Sequence, residues 1–101
     1  MEIFFRKCSV LNQHGNRSDL IVRFYAPKYD PEYEDYKAIS NVSCEFFRKN
    51  VYAIGSDAAQ AFFALPMATT AYLIGQRRYG YEVYWVEKGD LDHSDFWTYR
   101  P

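Results

Sequence analysis

Residues 55–75 read GSDAAQAFFALPMATTAYLIG, and the fold turns on how this stretch is built. Asp57 stands just ahead of an apolar run, with Gln60 three positions on. That spacing lets a capping carboxylate and a returning amide satisfy the free N–H groups of a helix start. Gly75 suits the other end, since glycine closes a helix without a Cβ penalty. The pattern predicts a helix from Asp57 to Gly75. Pro66 lies inside it, removes one backbone donor and crowds the preceding turn. A kink or a break is therefore expected near Ala64 to Met67, with two shorter helices as the alternative.

Residues 58–76 carry no charge. A membrane-spanning helix needs about 20 mostly apolar residues. Here Gln60, Thr69, Thr70 and Gln76 interrupt the run, and amphipathic segments elsewhere in the chain need a helix to cover their apolar side. The helix is therefore expected on a sheet and not in a bilayer. Because it lacks a polar stripe, its outer side near Phe63, Met67 and Thr70 is expected to be covered as well. Either residues 91–101 or a second copy in a homodimer would cover it.

Those amphipathic segments read as strands. In DLIVRFYA (19–26), Leu20, Val22, Phe24 and Ala26 alternate with Asp19, Ile21, Arg23 and Tyr25, the period of a half-buried strand. EIFFRKCSVL (2–11) is rich in β-formers, and NQHGN (12–16) supplies turn residues for an antiparallel hairpin between the two. NVSCEFF (41–47) puts Val42, Cys44 and Phe46 on one side. VYAI (51–54) is a further strand or the continuation of that one, so three or four strands precede the helix. YGYEVYWVEK (79–88) sets Tyr81, Val83 and Trp85 against Glu82, Tyr84 and Val86, a strand that re-enters the sheet. The expectation is an α+β fold: an antiparallel sheet of four to five strands with one kinked apolar helix packed on it. No internal repeat or linker divides the chain, so residues 1–101 read as a single domain.

The stretch from Tyr52 to Gly75 resembles the core of a family of short bacterial proteins of unknown function, whose members carry G-x-D-A-x-Q-A ahead of an apolar helix. Gly55, Asp57, Ala58, Gln60 and Ala61 carry the likeness. Further points are RFYAP ending at Pro27, a strand containing Cys44, and a last strand bearing Trp85. The likeness covers most of positions 1–87, and Pro66 departs from its pattern. The family brings no established activity, so the resemblance implies the α+β fold and no function.

Composition narrows the function classes. At 101 residues and 49% hydrophobic content, the chain can bury roughly 60–70% of its unfolded surface. Twelve basic and thirteen acidic residues give a net charge of −1, so no global field draws it to nucleic acid or anionic lipid. Ten tyrosines and eight phenylalanines exceed what a core of this size needs, which predicts rings at the surface. The N-terminal MEIFFRKCSV lacks the order of a signal peptide, so a cytoplasmic protein is expected, and the glycosylation pattern at Asn41-Val42-Ser43 is discounted. Cys8 and Cys44 lack ligand spacing and read as buried reduced thiols.

Candidate chemistry is sparse. Asp92-His93-Ser94-Asp95 holds the residue types of a hydrolase triad, but triads are spatial and no nucleophile elbow accompanies them. Asp90, Asp92, His93 and Asp95 match no metal-loop spacing, and His14 reads as a surface residue beside Gly15. No enzyme, cofactor or metal is expected. Arg77 and Arg78 suit the end of a helix, where cations meet the dipole. With Arg6, Lys7, Arg48 and Lys49 they would form a basic face beside Tyr79 and Tyr81, but the pairs are scattered and nucleic acid is not the expected partner.

KYDPEYEDYK (28–37) stands out more. It is read as a loop in which Pro31 stiffens the chain, Tyr29, Tyr33 and Tyr36 offer amphipathic rings, and Asp30, Glu32, Glu34 and Asp35 add negative charge. Tyrosines anchor interfaces and carboxylates steer a basic partner. Asp92, Asp95 and Trp97 in the tail repeat the mixture and are expected to extend the surface. The reading is a non-enzymatic binding protein of immunity or antitoxin type that covers a basic toxin or nuclease. The alternatives are a small-ligand or enzymatic domain with a pocket between helix and sheet, drawing on Gln60, Thr69 and Thr70, and a self-associating structural domain.

Overall fold

The computed structural model describes residues 1–85 and 89–91. β1 (Glu2–Leu11) and β2 (Arg17–Tyr25) form the expected hairpin. Asn12 holds the turn, its Oδ1 accepting the backbone N–H groups of His14 and Asn16. β3 (Lys28–Asp30) turns back into β4 (Asp35–Ser43), which turns into β5 (Arg48–Gly55). Helix α1 (Ala58–Gly75) and a 3-10 turn (Gln76–Tyr79) then carry the chain to β6 (Glu82–Tyr84), which pairs with β1. Every pairing is antiparallel. The fold is α+β.

β2 and β3 lie along the same side of β4. Phe24 pairs with Ser40 and Lys28 with Lys37, so three residues, Tyr25 to Pro27, oppose only Ala38 and Ile39. This is a bulge of one extra residue, and Pro27, which has no N–H to give a ladder, sits in it. The bulge ends the alternation that placed Ala26 with Phe24: β2 stops at Tyr25, and the Ala26 N–H donates to the Met1 carbonyl at 2.9 Å.

The sheet has two unlike sides. Toward α1 it presents Cys8, Val10, Leu20, Val22, Phe24, Ala38 and Val42, all buried. Phe4 stacks on Phe24 at 4.7 Å between ring centres. The helix contributes Ala61, Leu65, Thr69 and Leu73 to the same core. It crosses the membrane-length threshold by size and composition, taken from Ala58 to Tyr79, but here it lies on the sheet.

The break expected at Pro66 does not occur, since α1 is continuous through it. An interior proline costs about 3 kcal/mol. Leu65 and Leu73, both fully buried, each contribute roughly 2–3 kcal/mol on leaving water, and the buried ring of Pro66 adds to that, so packing outweighs the lost bond. A hydroxyl pair fastens helix to sheet: Ser40 Oγ and Thr69 Oγ1 lie 2.8 Å apart, and Thr69 also bonds the Leu65 carbonyl.

The helix start is built as its sequence predicts. Asp57 Oδ1 accepts the Gln60 N–H at 2.8 Å, and Gln60 Oε1 accepts from the N–H and the hydroxyl of Ser56. Gly55 ends β5 directly against this turn. A Cβ there would collide with the Ala61 nitrogen and lie 2.8 Å from Gln60 Cβ. The G-x-D-A-x-Q-A stretch thus has a local physical reason, close approach of strand to helix plus a closed cap.

Two strand readings need correction. Residues 28–37, taken as a loop, are mostly paired backbone, and β4 begins at Asp35, well before the expected strand at Asn41. Cys44 and Phe46 are not strand residues but lie in the turn before β5, where the Cys44 N–H donates to the Phe47 carbonyl. VYAI belongs to a separate strand, β5, so five strands precede the helix where three or four were expected.

Candidate functional site

The β3–β4 hairpin carries the segment singled out from sequence. Asp30 fixes its tip twice: its carbonyl accepts from the Tyr33 N–H at 3.2 Å and its Oδ1 from the Glu32 N–H at 2.9 Å. Pro31 presets the φ that the next position of such a turn requires. Glu34 then adopts a left-handed φ of 55°, a conformation that costs a residue with a Cβ roughly 1–2 kcal/mol. Tyr29 and Tyr33 are 55% and 47% exposed, and Glu32 and Glu34 are exposed beside them.

Tyr36 differs from its neighbours. It pairs with Tyr29, meets that ring edge-on at 5.6 Å, and packs half-buried against the core. Of the three tyrosines, Tyr29 and Tyr33 face outward and Tyr36 ties the hairpin to the domain. Asp30 and Asp35 stand opposite each other at the tip end of the ladder, both half-buried. Asp92, Asp95 and Trp97, expected to extend this surface, lie outside the described residues.

The stem of the hairpin forms one wall of a groove on the side of the sheet away from α1, with a volume of about 550 Å³. Tyr25 and Ile39 supply apolar surface, and Lys28, Lys37, Asn41 and Asn50 supply polar groups. Asn41 Nδ2 donates to Asn50 Oδ1 at 2.9 Å, leaving the Asn50 amide hydrogens and the Asn41 carbonyl oxygen for other partners. Lys37 Nζ lies 4.5 Å from the centre of the Tyr52 ring and 5.7 Å from that of Tyr33.

Sequence reasoning missed Lys28, Lys37, Ile39, Asn41 and Asn50 as site residues. The signal was present: Ala38, Ser40 and Val42 alternate with Ile39 and Asn41, a strand period running back into the supposed loop.

The remaining expectations separate by place. The six basic residues considered together do not converge. Lys7 and Arg48 sit on the open side of the sheet, Arg6 and Lys49 toward the helix, and Arg77 pairs with Glu82 at 3.2 Å. On the open side Arg17 and Lys7 flank Asp19, and the Arg17 hydrogen bond holds the Asp19 carboxyl below its usual range. The outer side of α1, expected to be covered, leaves Phe63 and Met67 exposed among the described residues, whereas Thr70 is buried. Gln60 and Thr69, weighed as pocket-lining groups, are engaged in the helix cap and the Ser40 bond. The groove lies on the opposite side of the sheet from them.

The cysteines are unpaired thiols, Cys8 buried and Cys44 half-buried. Burial pushes the Cys8 thiol up to about 12 and raises that of Cys44. Among the described residues, no three metal-ligating side chains gather. Asp90, weighed as a ligand, accepts a backbone hydrogen bond from Trp85.

Comparison with protein families, with curated proteins and with solved structures finds no match. The likeness to the short bacterial family therefore rests on its quoted residues alone.

Proposed function

We propose that the chain is a non-enzymatic, cytoplasmic binding protein that covers a basic protein, in the manner of an immunity or antitoxin-like inhibitor of a toxin or nuclease. The tip of the β3–β4 hairpin is its contact. The observation that carries this reading is the tip itself: two exposed tyrosine rings, Tyr29 and Tyr33, among four carboxylates on a backbone turn braced by Asp30. A braced turn loses little conformational freedom on binding, so more of the contact energy is available for affinity. The two kinds of side chain have separable roles, since a buried aromatic anchor slows dissociation while rim charges speed encounter.

The test is capture of a partner from a bacterial lysate at low salt, followed by binding kinetics. Tyr33→Ala should speed dissociation about 30-fold, corresponding to about 2 kcal/mol. Neutralising Glu32, Glu34 and Asp35 together should slow association, and raising salt should imitate it, since screening at about 0.15 M acts over roughly 8 Å. A partner that binds both variants with unaltered rates refutes the reading. Self-association is the second reading, favoured by the charge-free outer side of α1, where Met67 and Ile74 are exposed. Sedimentation of the free chain across a concentration series tests it.

A further inference from the structure

The hairpin sets its charges against the preference of its own ladder. Lys28 stands directly opposite Lys37, and Asp30 directly opposite Asp35. Directly opposed like charges destabilise a pair of strands, whereas exchanging one lysine with one aspartate would make both rows favourable. Among the described residues, neither Lys28 nor Lys37 lies within ion-pair distance of a carboxylate. Both lysines line the open-side groove, and Lys37 Nζ at present rests 4.5 Å from the centre of the Tyr52 ring. Asp30 is the one carboxylate of the groove among the described residues and has one oxygen committed to Glu32.

We propose that this groove is a binding site for a small organic anion, a phosphate or carboxylate carried on a planar apolar body. The anionic group would sit between Lys28 and Lys37 and relieve their opposition through charge-assisted hydrogen bonds. The body would lie over Tyr25 and Ile39, within reach of the free amide of Asn50. A volume of about 550 Å³ falls within the range of small-molecule sites, an apolar floor with a few convergent polar groups. The site goes beyond the proposed protein contact: it relies on the stem lysines and asparagines, and borders the tip at Tyr29, Asp30 and Pro31.

The test is a titration of the full chain with phenyl phosphate, followed by backbone amide NMR, with inorganic phosphate and phenol as the two half-probes. Phenyl phosphate should give saturable shifts at Lys28, Ile39, Asn41 and Asn50, and each half-probe should bind more weakly. Benzoate in place of phenyl phosphate tells whether carboxylate serves as well as phosphate. Lys28→Met should weaken binding about tenfold, the loss of one charge-assisted bond. Arg78→Gln, which removes an exposed cation away from the groove, should leave binding unchanged. Lys28→Glu provides a readout without ligand: the melting temperature should rise, because an opposed like pair becomes an opposite one. Absence of saturable shifts, shifts confined to other residues, undiminished binding by Lys28→Met, or a lower melting temperature for Lys28→Glu would each overturn the proposal.

Discussion

Replacing Gly55 with alanine tests the junction on which the helix depends. The new Cβ would collide with the Ala61 nitrogen and lie 2.8 Å from Gln60 Cβ and 2.9 Å from the Gln60 carbonyl carbon. Two of those three atoms are helix backbone, so no side-chain rotation relieves the clash. β5 and the first turn of α1 must part by roughly one ångström to bring the Ala61 nitrogen to ordinary van der Waals separation. Overpacking of this kind costs about 1–3 kcal/mol. The shift also stretches the bonds from Asp57 to the Gln60 N–H and from Gln60 to Ser56, a cap worth about 1 kcal/mol when lost. Against this, alanine restricts the unfolded chain and returns about 0.4–1 kcal/mol. The net expectation is a loss of about 2 kcal/mol, or a melting temperature lower by about 8–16 °C for a domain of this size. Urea unfolding followed by circular dichroism should show a lower midpoint at unchanged slope. Gly75→Ala is the matched control: it is helical, nothing lies within 4 Å of the place its Cβ would take, and it should be neutral or stabilising. If both variants move stability in the same direction, the steric account of Gly55 is wrong.

Thr69→Val should cost about 1–3 kcal/mol by leaving Ser40 Oγ without its partner in the core, and adding Ser40→Ala should recover part of the loss. Additive single losses in denaturant melts would show that the hydroxyl pair is not coupled. Cys8 imposes a pH dependence with a definite sign. The folded thiol keeps its proton until about 12, whereas the unfolded thiol releases it near 9.0. Its contribution is therefore complete below the unfolded value and is lost as pH rises between the two. In that window stability should fall by up to about 1.4 kcal/mol per pH unit relative to Cys8→Ala. Parallel curves for parent and variant would refute the assignment.

Much of the fold is legible in the residues because single-residue rules act alone at those positions. Asp57 and Gln60 announce the helix start through local hydrogen bonds, and Leu20, Val22 and Phe24 announce β2 through period two. Where two rules compete, the sequence is ambiguous. Pro66 forbids a helix locally, but the burial of Leu65 and Leu73 overrides it, and burial is a tertiary quantity. Pro31 and the carboxylates of 30–35 resemble a loop, yet they form only the tip, and pairing with β4 recruits Lys28 to Asp30 into the sheet. The tip was legible for the same reason, since charge and ring density are properties of composition. The groove was not, because Tyr25, Lys28, Asn41 and Asn50 converge only through strand register.

That register has a genetic consequence. Three residues face two at Tyr25 to Pro27, so the chain holds one residue more than its ladder requires. Loss of the Pro27 codon would align Ala26 with Ala38 and leave Lys28 opposite Lys37, with every side chain from Tyr29 onward still on its present side. Loss of any one codon within β4 would instead reverse the side chains on one arm of the hairpin relative to the other. In descent, then, this bend can be gained or erased in a single in-frame step without disturbing the core, while the adjoining strand tolerates no change of length.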